Sequence, residues 1–311
     1  MPFKIEINFL IITILSHALI ILLISKILKK TIFKYFCFFY FTSYLFFYYN
    51  TNPIRVDPLM LFFMTLFIFL LKNKSNLISI LLCLIISISV HELSFAILIF
   101  ILIDSKLGSN LFFIDKYSSN KLFIILFGGL IYLFYLRKSV LIEKSTLLTY
   151  NSNNIFLLTN FIIKYSGGIL KHFLRKYASF GPALLFAFTY FICNFNKREI
   201  YSLLLILLIQ IILTLLAADT LRVMEVSFFI IFLHSSRFIL NIISLKSKIL
   251  FLFAQIAFSS IVYTNLNNNF ENNLYLNLIS MIISILAFFL CLTYFFARKN
   301  YLPKDLKIFI L

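Results

Sequence analysis

The chain of 311 residues is 62% hydrophobic and only 13% charged, with a mean hydropathy of +1.02. A soluble domain covers its surface with roughly a quarter charged residues, so a soluble fold is excluded and successive bilayer spans of about 20 residues are expected. The formal charge of +17 falls in short turns between apolar runs rather than along one face, a pattern that sets membrane topology and excludes nucleic acid as a partner.

Apolar runs punctuated by charge predict an all-α, polytopic transmembrane helix bundle. Its helices are expected over 7–28, 31–49, 58–71, 77–90, 93–103, 121–137, 179–194, 200–217, 223–240, 249–264 and 275–296. The first run has no A-x-A-like cleavage site and is followed by Lys29-Lys30, so it reads as a retained helix rather than a removed signal peptide. No internal repeat or interdomain linker is visible, and residues 1–311 read as a single transmembrane domain. Cys37, Cys83, Cys193 and Cys291 lie inside apolar runs without CxxC spacing. They read as small buried hydrophobes and imply neither a disulfide framework nor a metal site. No cofactor motif is visible, and a divalent metal is left open.

The stretch 77–103 reads as two short helices broken at His91-Glu92, because a His-Glu pair inside a span is costly unless it faces protein or water. With the break, eleven segments alternate across the bilayer. The turns holding Lys29-Lys30, Lys72/Lys74, Lys106/Lys116, Lys197-Arg198, Lys246/Lys248 and Arg298-Lys299 then all face the cytoplasm. Arg55, Asp57, His91, Glu92, Asp219, Arg222 and the segment 138–178 fall on the outer face. Segments 58–71 and 77–90, each about 21 Å long at ~1.5 Å per residue, stop short of that face and leave a recess.

Four polar constellations follow. Arg55-Val56-Asp57-Pro58 is either a helix start, with Asp57 as N-cap, or a carboxylate that takes a hydroxyl proton beside a guanidinium that grips phosphate. His91 and Glu92 either solvate the break or bind donor or acceptor; no HExxH pattern follows them. Asp219, Arg222 and Glu225, spaced i, i+3, i+6, form either a structural ion-pair ladder or an intramembrane site. The stretch 155–178 carries Lys164, Lys171, Arg175 and Lys176 among apolar residues, and from Ile169 onward the two kinds separate at helical spacing, as in an interfacial amphipathic helix. That helix either meets anionic headgroups or cradles a lipid-linked phosphate. His17 and His234 read as packing residues.

The polar turn ending Arg55-Val56-Asp57-Pro58, the short helix and basic hairpin after it, and the helix ending at His91-Glu92 resemble polytopic glycosyltransferases of the GT-C superfamily. The Asp219-Thr220-Leu221-Arg222 turn is similar to one in bacterial membrane proteins of that type. The resemblance covers roughly 31–103 and 200–240 and rests on short motifs. It implies transfer of a sugar from a polyprenyl-phosphate donor to a glycan, lipid or protein acceptor at the periplasmic face of the bacterial inner membrane. Asp57 is the best-matched acid, with Glu92 as a second; Arg55, His91, Asp219 and Arg222 would bind substrate. Lys171 and Arg175 are phosphate ligands on physical grounds alone. Such enzymes carry a long outer loop with an acidic base after their first helix; here Lys29-Lys30 follow at once, so the chain is expected to begin partway into the usual architecture. A polysaccharide polymerase acting on lipid-linked glycans and a non-enzymatic transporter or lipid-handling protein are the rival readings.

Overall fold

A computed structural model describes residues 2–43, 46, 57–91, 94–108, 111–112, 119–143, 177, 180–194, 197–216, 226–267 and 274–299. Those residues form eleven helices and no strand. In chain order they are α1 (Pro2–Ile27), α2 (Lys30–Phe41), α3 (Asp57–Lys72), α4 (Leu77–Val90), α5 (Phe95–Leu107), α6 (Ser119–Glu143), α7 (Pro182–Asn194), α8 (Lys197–Leu216), α9 (Phe228–Asn241), α10 (Leu245–Asn267) and α11 (Leu274–Arg298). Among the described residues two stretches, Asn8–Ile27 and Leu278–Arg298, are long and apolar enough to cross a membrane. Leu77–Val90, Lys121–Tyr135, Pro182–Asn194 and Phe228–Asn241 are apolar but shorter.

The break expected at His91 is present. His91 is extended (φ −162°, ψ 128°), its N–H donates to Ser87 O at 3.0 Å, and α5 starts only at Phe95. The Ser94 hydroxyl also donates to Ser87 O, at 3.0 Å, so the end of α4 keeps its carbonyl satisfied while the chain turns. At its other end α4 is capped by Asn76, whose side chain accepts from Ser79 N at 2.7 Å.

The chain divides into two compact units. The first comprises Met1–Ile27, Ile54–Lys176 and Tyr201–Ser227. In it α1 packs on α3, α3 and α4 form a hairpin, and α6 lies against α4 and α5. The Lys72 ammonium donates to Ile27 O, so α1 and α3 share their C-terminal ends. Gly128 and Gly129 of α6 let its backbone close on α4 and α5. A Cβ there would stand 2.8 Å from Leu81 Cδ1 and from Phe95 Cε2 respectively. Further along, the Ser89 and Tyr132 hydroxyls meet at 2.6 Å. These pairings run α4 and α6 in one direction, and Lys106 stands 5.0 Å from the Phe123 ring. Lys26, Lys72, Lys74, Lys106 and Lys121 therefore gather at one end of this unit.

The second unit comprises Leu28–Pro53, Tyr177–Ile200 and Phe228–Leu311. Its core is aromatic. Phe36 of α2 meets Phe228, Phe229 and Phe232 of α9 at 5.8–6.4 Å, and Phe186 of α7 stacks on Phe238 at 5.6 Å. One buried polar knot crosses this core. Gln255 of α10 accepts from Ala183 N at 2.9 Å, and its amide nitrogen lies 3.4 Å from Phe180 O and 3.5 Å from Thr42 O. At the opposite end Arg298 donates to Asn194 Oδ1 at 3.0 Å, and the Tyr294 hydroxyl to Asn241 O at 3.5 Å. The C-termini of α7, α9 and α11 thus meet there, together with Lys197, Arg198, Arg237 and Lys299.

Candidate functional site

Asp57 opens α3 and is wholly buried. Pro58 follows it, and at a helix start its missing N–H costs nothing. The carboxyl also lies at the positive end of the helix dipole. The sequence offered Asp57 as the residue just outside the helix; it is the first residue within it.

The α3–α4 hairpin fixes where Asp57 and His91 stand. Measured at ~1.5 Å per residue from the hairpin turn, Asp57 is about 22 Å away along α3 and His91 about 21 Å away along α4. The two therefore share one level, at the end of the unit remote from Lys72, Lys74, Lys106 and Lys121. The topological argument from sequence expects both at the outer face; the hairpin puts them at one end of the unit. His91 is half-buried.

α1 adds what the sequence did not single out. Its buried face runs Thr13, Ser16, His17, Ile20, Leu23, Ile24, Ile27, and α3 is its main packing partner. Counted back at ~1.5 Å per residue from the shared end at Ile27 and Lys72, Thr13 stands at about 21 Å, Ser16 at about 16 Å and His17 at about 15 Å. The lower part of the buried face of α1 is therefore apolar, and its upper part holds Thr13 near the level of Asp57 and Ser16 and His17 about a turn or more below it. His17 is expected to be a packing residue, and it is buried, on the same face as Thr13 and Ser16. The signal was present in the i, i+3, i+4 spacing of Thr13, Ser16 and His17, but each residue alone is unremarkable in an apolar run.

His234 does behave as a packing residue. It is wholly buried, with Phe191 at 4.4 Å and Tyr190 at 5.4 Å between ring centroids. One turn further, Arg237 stands 5.8 Å from the Tyr190 ring, at the basic end of the second unit. Arg55, Glu92, Asp219, Arg222, Lys171 and Arg175 lie outside the described residues, as do Glu225 and residues 144–176 of the expected outer segment. All four cysteines are free thiols, and among the described residues no group of three or more His, Cys, Asp or Glu is placed to hold a metal ion.

No protein-family model, curated protein or solved structure matches this chain.

Proposed function

We propose that this protein is a multi-pass inner-membrane glycosyltransferase that moves a sugar from a polyprenyl-phosphate donor to an acceptor at the outer face. One observation carries the proposal: a wholly buried carboxylate, Asp57, level with His91, at the end of its unit remote from the lysines. Ionisable groups at membrane depth are costly and serve substrate handling by default.

Membrane crossing beyond the two longest spans is supported by two further features. Large apolar side chains are exposed along α4, α6 and α10, including Ile78, Leu82 and Ile86, then Phe127, Ile131 and Phe134, then Phe253. Such faces suit lipid contact better than water. Basic residues also collect at one end of each unit, which fits a cytoplasmic face.

In the proposed reaction Asp57 takes the proton of the acceptor hydroxyl as its oxygen bonds to the anomeric carbon. The bond from that carbon to the phosphate oxygen breaks, and polyprenyl phosphate leaves with the electron pair. Arg55, two residues before Asp57 in sequence, and Lys171 and Arg175 would hold the departing phosphate. Glu92, His91, Asp219 and Arg222 would orient donor and acceptor.

The test is transfer from a radiolabelled polyprenyl-phosphate hexose in proteoliposomes holding the full chain. Asp57→Asn is expected to lower transfer by about 10²- to 10⁴-fold, the range for losing a general base, at unchanged protein level. Full transfer by Asp57→Asn sinks the proposal. Full transfer by that variant, combined with loss in Arg55→Ala and Arg175→Ala, would favour a polymerase. Substrate flux without turnover would favour a transporter.

A further inference from the structure

We infer that the basic end of the second unit binds an anionic phospholipid, whose phosphodiester sits on Arg298 and its neighbours while its acyl chains cover the apolar turn between α9 and α10; this rests on the membrane reading above and not on the transfer reaction.

A continuous set of neutral groups holds two guanidinium ions at this end. Arg237 of α9 stands 5.8 Å from the Tyr190 ring of α7. Tyr190 O accepts from Asn194 Nδ2 at 2.9 Å, and Asn194 Oδ1 accepts from Arg298 of α11 at 3.0 Å. The other arm of the Arg298 guanidinium donates to the Tyr294 hydroxyl at 3.5 Å, and that hydroxyl to Asn241 O at 3.5 Å. Both oxygens on Arg298 are uncharged, so they fix its planar fork without cancelling its charge. Arg298, Lys299 and Lys197 are exposed, and Lys248 is half-buried in the first turn of α10. Against these cations the described residues of the unit offer one acid, Glu199, whose charge acts on Arg237. The C-termini of α7, α9 and α11 each carry only about half a negative charge, too little to offset the set. Phosphate is the complement of such a forked, fixed cation.

The turn beside the cations distinguishes a lipid from a soluble anion. Ile243 lies two residues beyond Asn241, so within about 7 Å of it at ~3.6 Å per residue. Its side chain is 83% exposed, and no large apolar side chain among the described residues is more so; Leu245 is 71% exposed. Short turns in water are ordinarily polar. Apolar tips beside cations suit the boundary between headgroups and acyl chains, where the cations reach the phosphates and the tips dip below them. A soluble phosphate would leave Ile243 and Leu245 uncovered, and a second copy of the chain would bring like charges against these. A phospholipid answers both halves of the surface.

The chain has no tryptophan, so Ile243→Trp places a sole indole on the turn, and the probe is brominated lipid. The full chain carrying Ile243→Trp is reconstituted in phosphatidylcholine vesicles and titrated with brominated phosphatidylglycerol or, separately, brominated phosphatidylcholine. Brominated phosphatidylglycerol is expected to quench at the lower mole fraction. Arg298→Gln in the same background is expected to cut that preference by about 5-fold, the equivalent of one interfacial cation. Where Arg298→Gln does not accumulate, Lys299→Gln carries the same test. Equal quenching by the two lipids, or an unchanged preference in the charge variants, overturns the inference and leaves the membrane reading intact. Absence of quenching by either lipid overturns both. Loss of the preference when inorganic phosphate replaces chloride at fixed ionic strength would assign the cations to a soluble anion and overturn the lipid site.

Discussion

Gln255→Leu removes the polar knot of the second unit while nearly conserving volume, so its cost is one of hydrogen bonds. The largest part is Ala183 N–H, which the Gln255 carbonyl oxygen accepts at 2.9 Å. This N–H lies in the first turn of α7, where no intrahelical acceptor exists. Leaving such a buried donor unpaired costs about 1–3 kcal/mol. The amide nitrogen lies 3.3–3.5 Å from Ser259 Oγ, Phe180 O and Thr42 O. At those lengths its bonds add no more than the ~0.6 kcal/mol average of interhelical hydrogen bonds in bilayers. Thr42 O moreover keeps the Ser259 hydroxyl as a donor. The buried leucine offsets part of the loss, and the net expectation is about 2 kcal/mol, a fall of up to ~30-fold in the folded-to-unfolded ratio. Unfolding by SDS titration in mixed micelles, followed by circular dichroism, measures it. Ser259→Ala should cost less, and the double variant should be non-additive because both residues meet at Thr42 O. Wild-type stability in Gln255→Leu, or a larger loss in Ser259→Ala, would refute the assignment of the knot to Ala183.

Two further outcomes are expected. Gly181 has φ +58°, and a Cβ built there would stand 2.5 Å from Phe258 Cδ1. Gly181→Ala therefore combines about 1 kcal/mol of left-handed strain with displacement of the Phe258 ring. It should lower the SDS midpoint in the same titration, and Phe258→Leu should relieve part of the loss. In a cysteine-free background, a membrane-impermeant maleimide applied to intact spheroplasts should label His91→Cys, but label Asn73→Cys only after permeabilisation; labelling of both from one side refutes the proposed crossing of the bilayer by the α3–α4 hairpin.

Much of the helix inventory was legible because its signals are local. Hydrophobic run length gave the helices, and the cost of His91-Glu92 inside a span gave the break between α4 and α5. Ends were less legible where charge was taken for termination. The run expected to stop at residue 137 continues to Glu143 in α6, because Arg and Lys are good helix formers. They mark where a helix leaves apolar surroundings, not where it stops.

The site was legible in part for the same reason. Asp57 and His91 announce themselves as charge or polarity at helix ends. The Gln255–Ala183 bond joins positions 72 residues apart, and no periodicity reveals such a pairing. The α1 stripe falls between these cases: its spacing is local, but its height is not. Only the register set by Lys72 and Ile27 puts Thr13 near the level of Asp57, with Ser16 and His17 about a turn or more below.

In the proposed topology helix length sets the depth of the carboxylate. The apolar stretch Asn8–Ile27 of α1 rises about 28 Å at ~1.5 Å per residue, close to the thickness of a hydrocarbon core. α3 and α4, anchored at the same basic end, reach only about 22 Å by the same measure. Asp57 and His91 are thus held about 6 Å below the point where α1 leaves its apolar stretch, counted at ~1.5 Å per residue. Under the proposed topology a longer α3 would carry Asp57 toward the surface, and a much shorter one would set it level with Ile20, Leu23 and Ile24. The observed length stops Asp57 near the level of Thr13, above the aliphatic part of the buried face of α1.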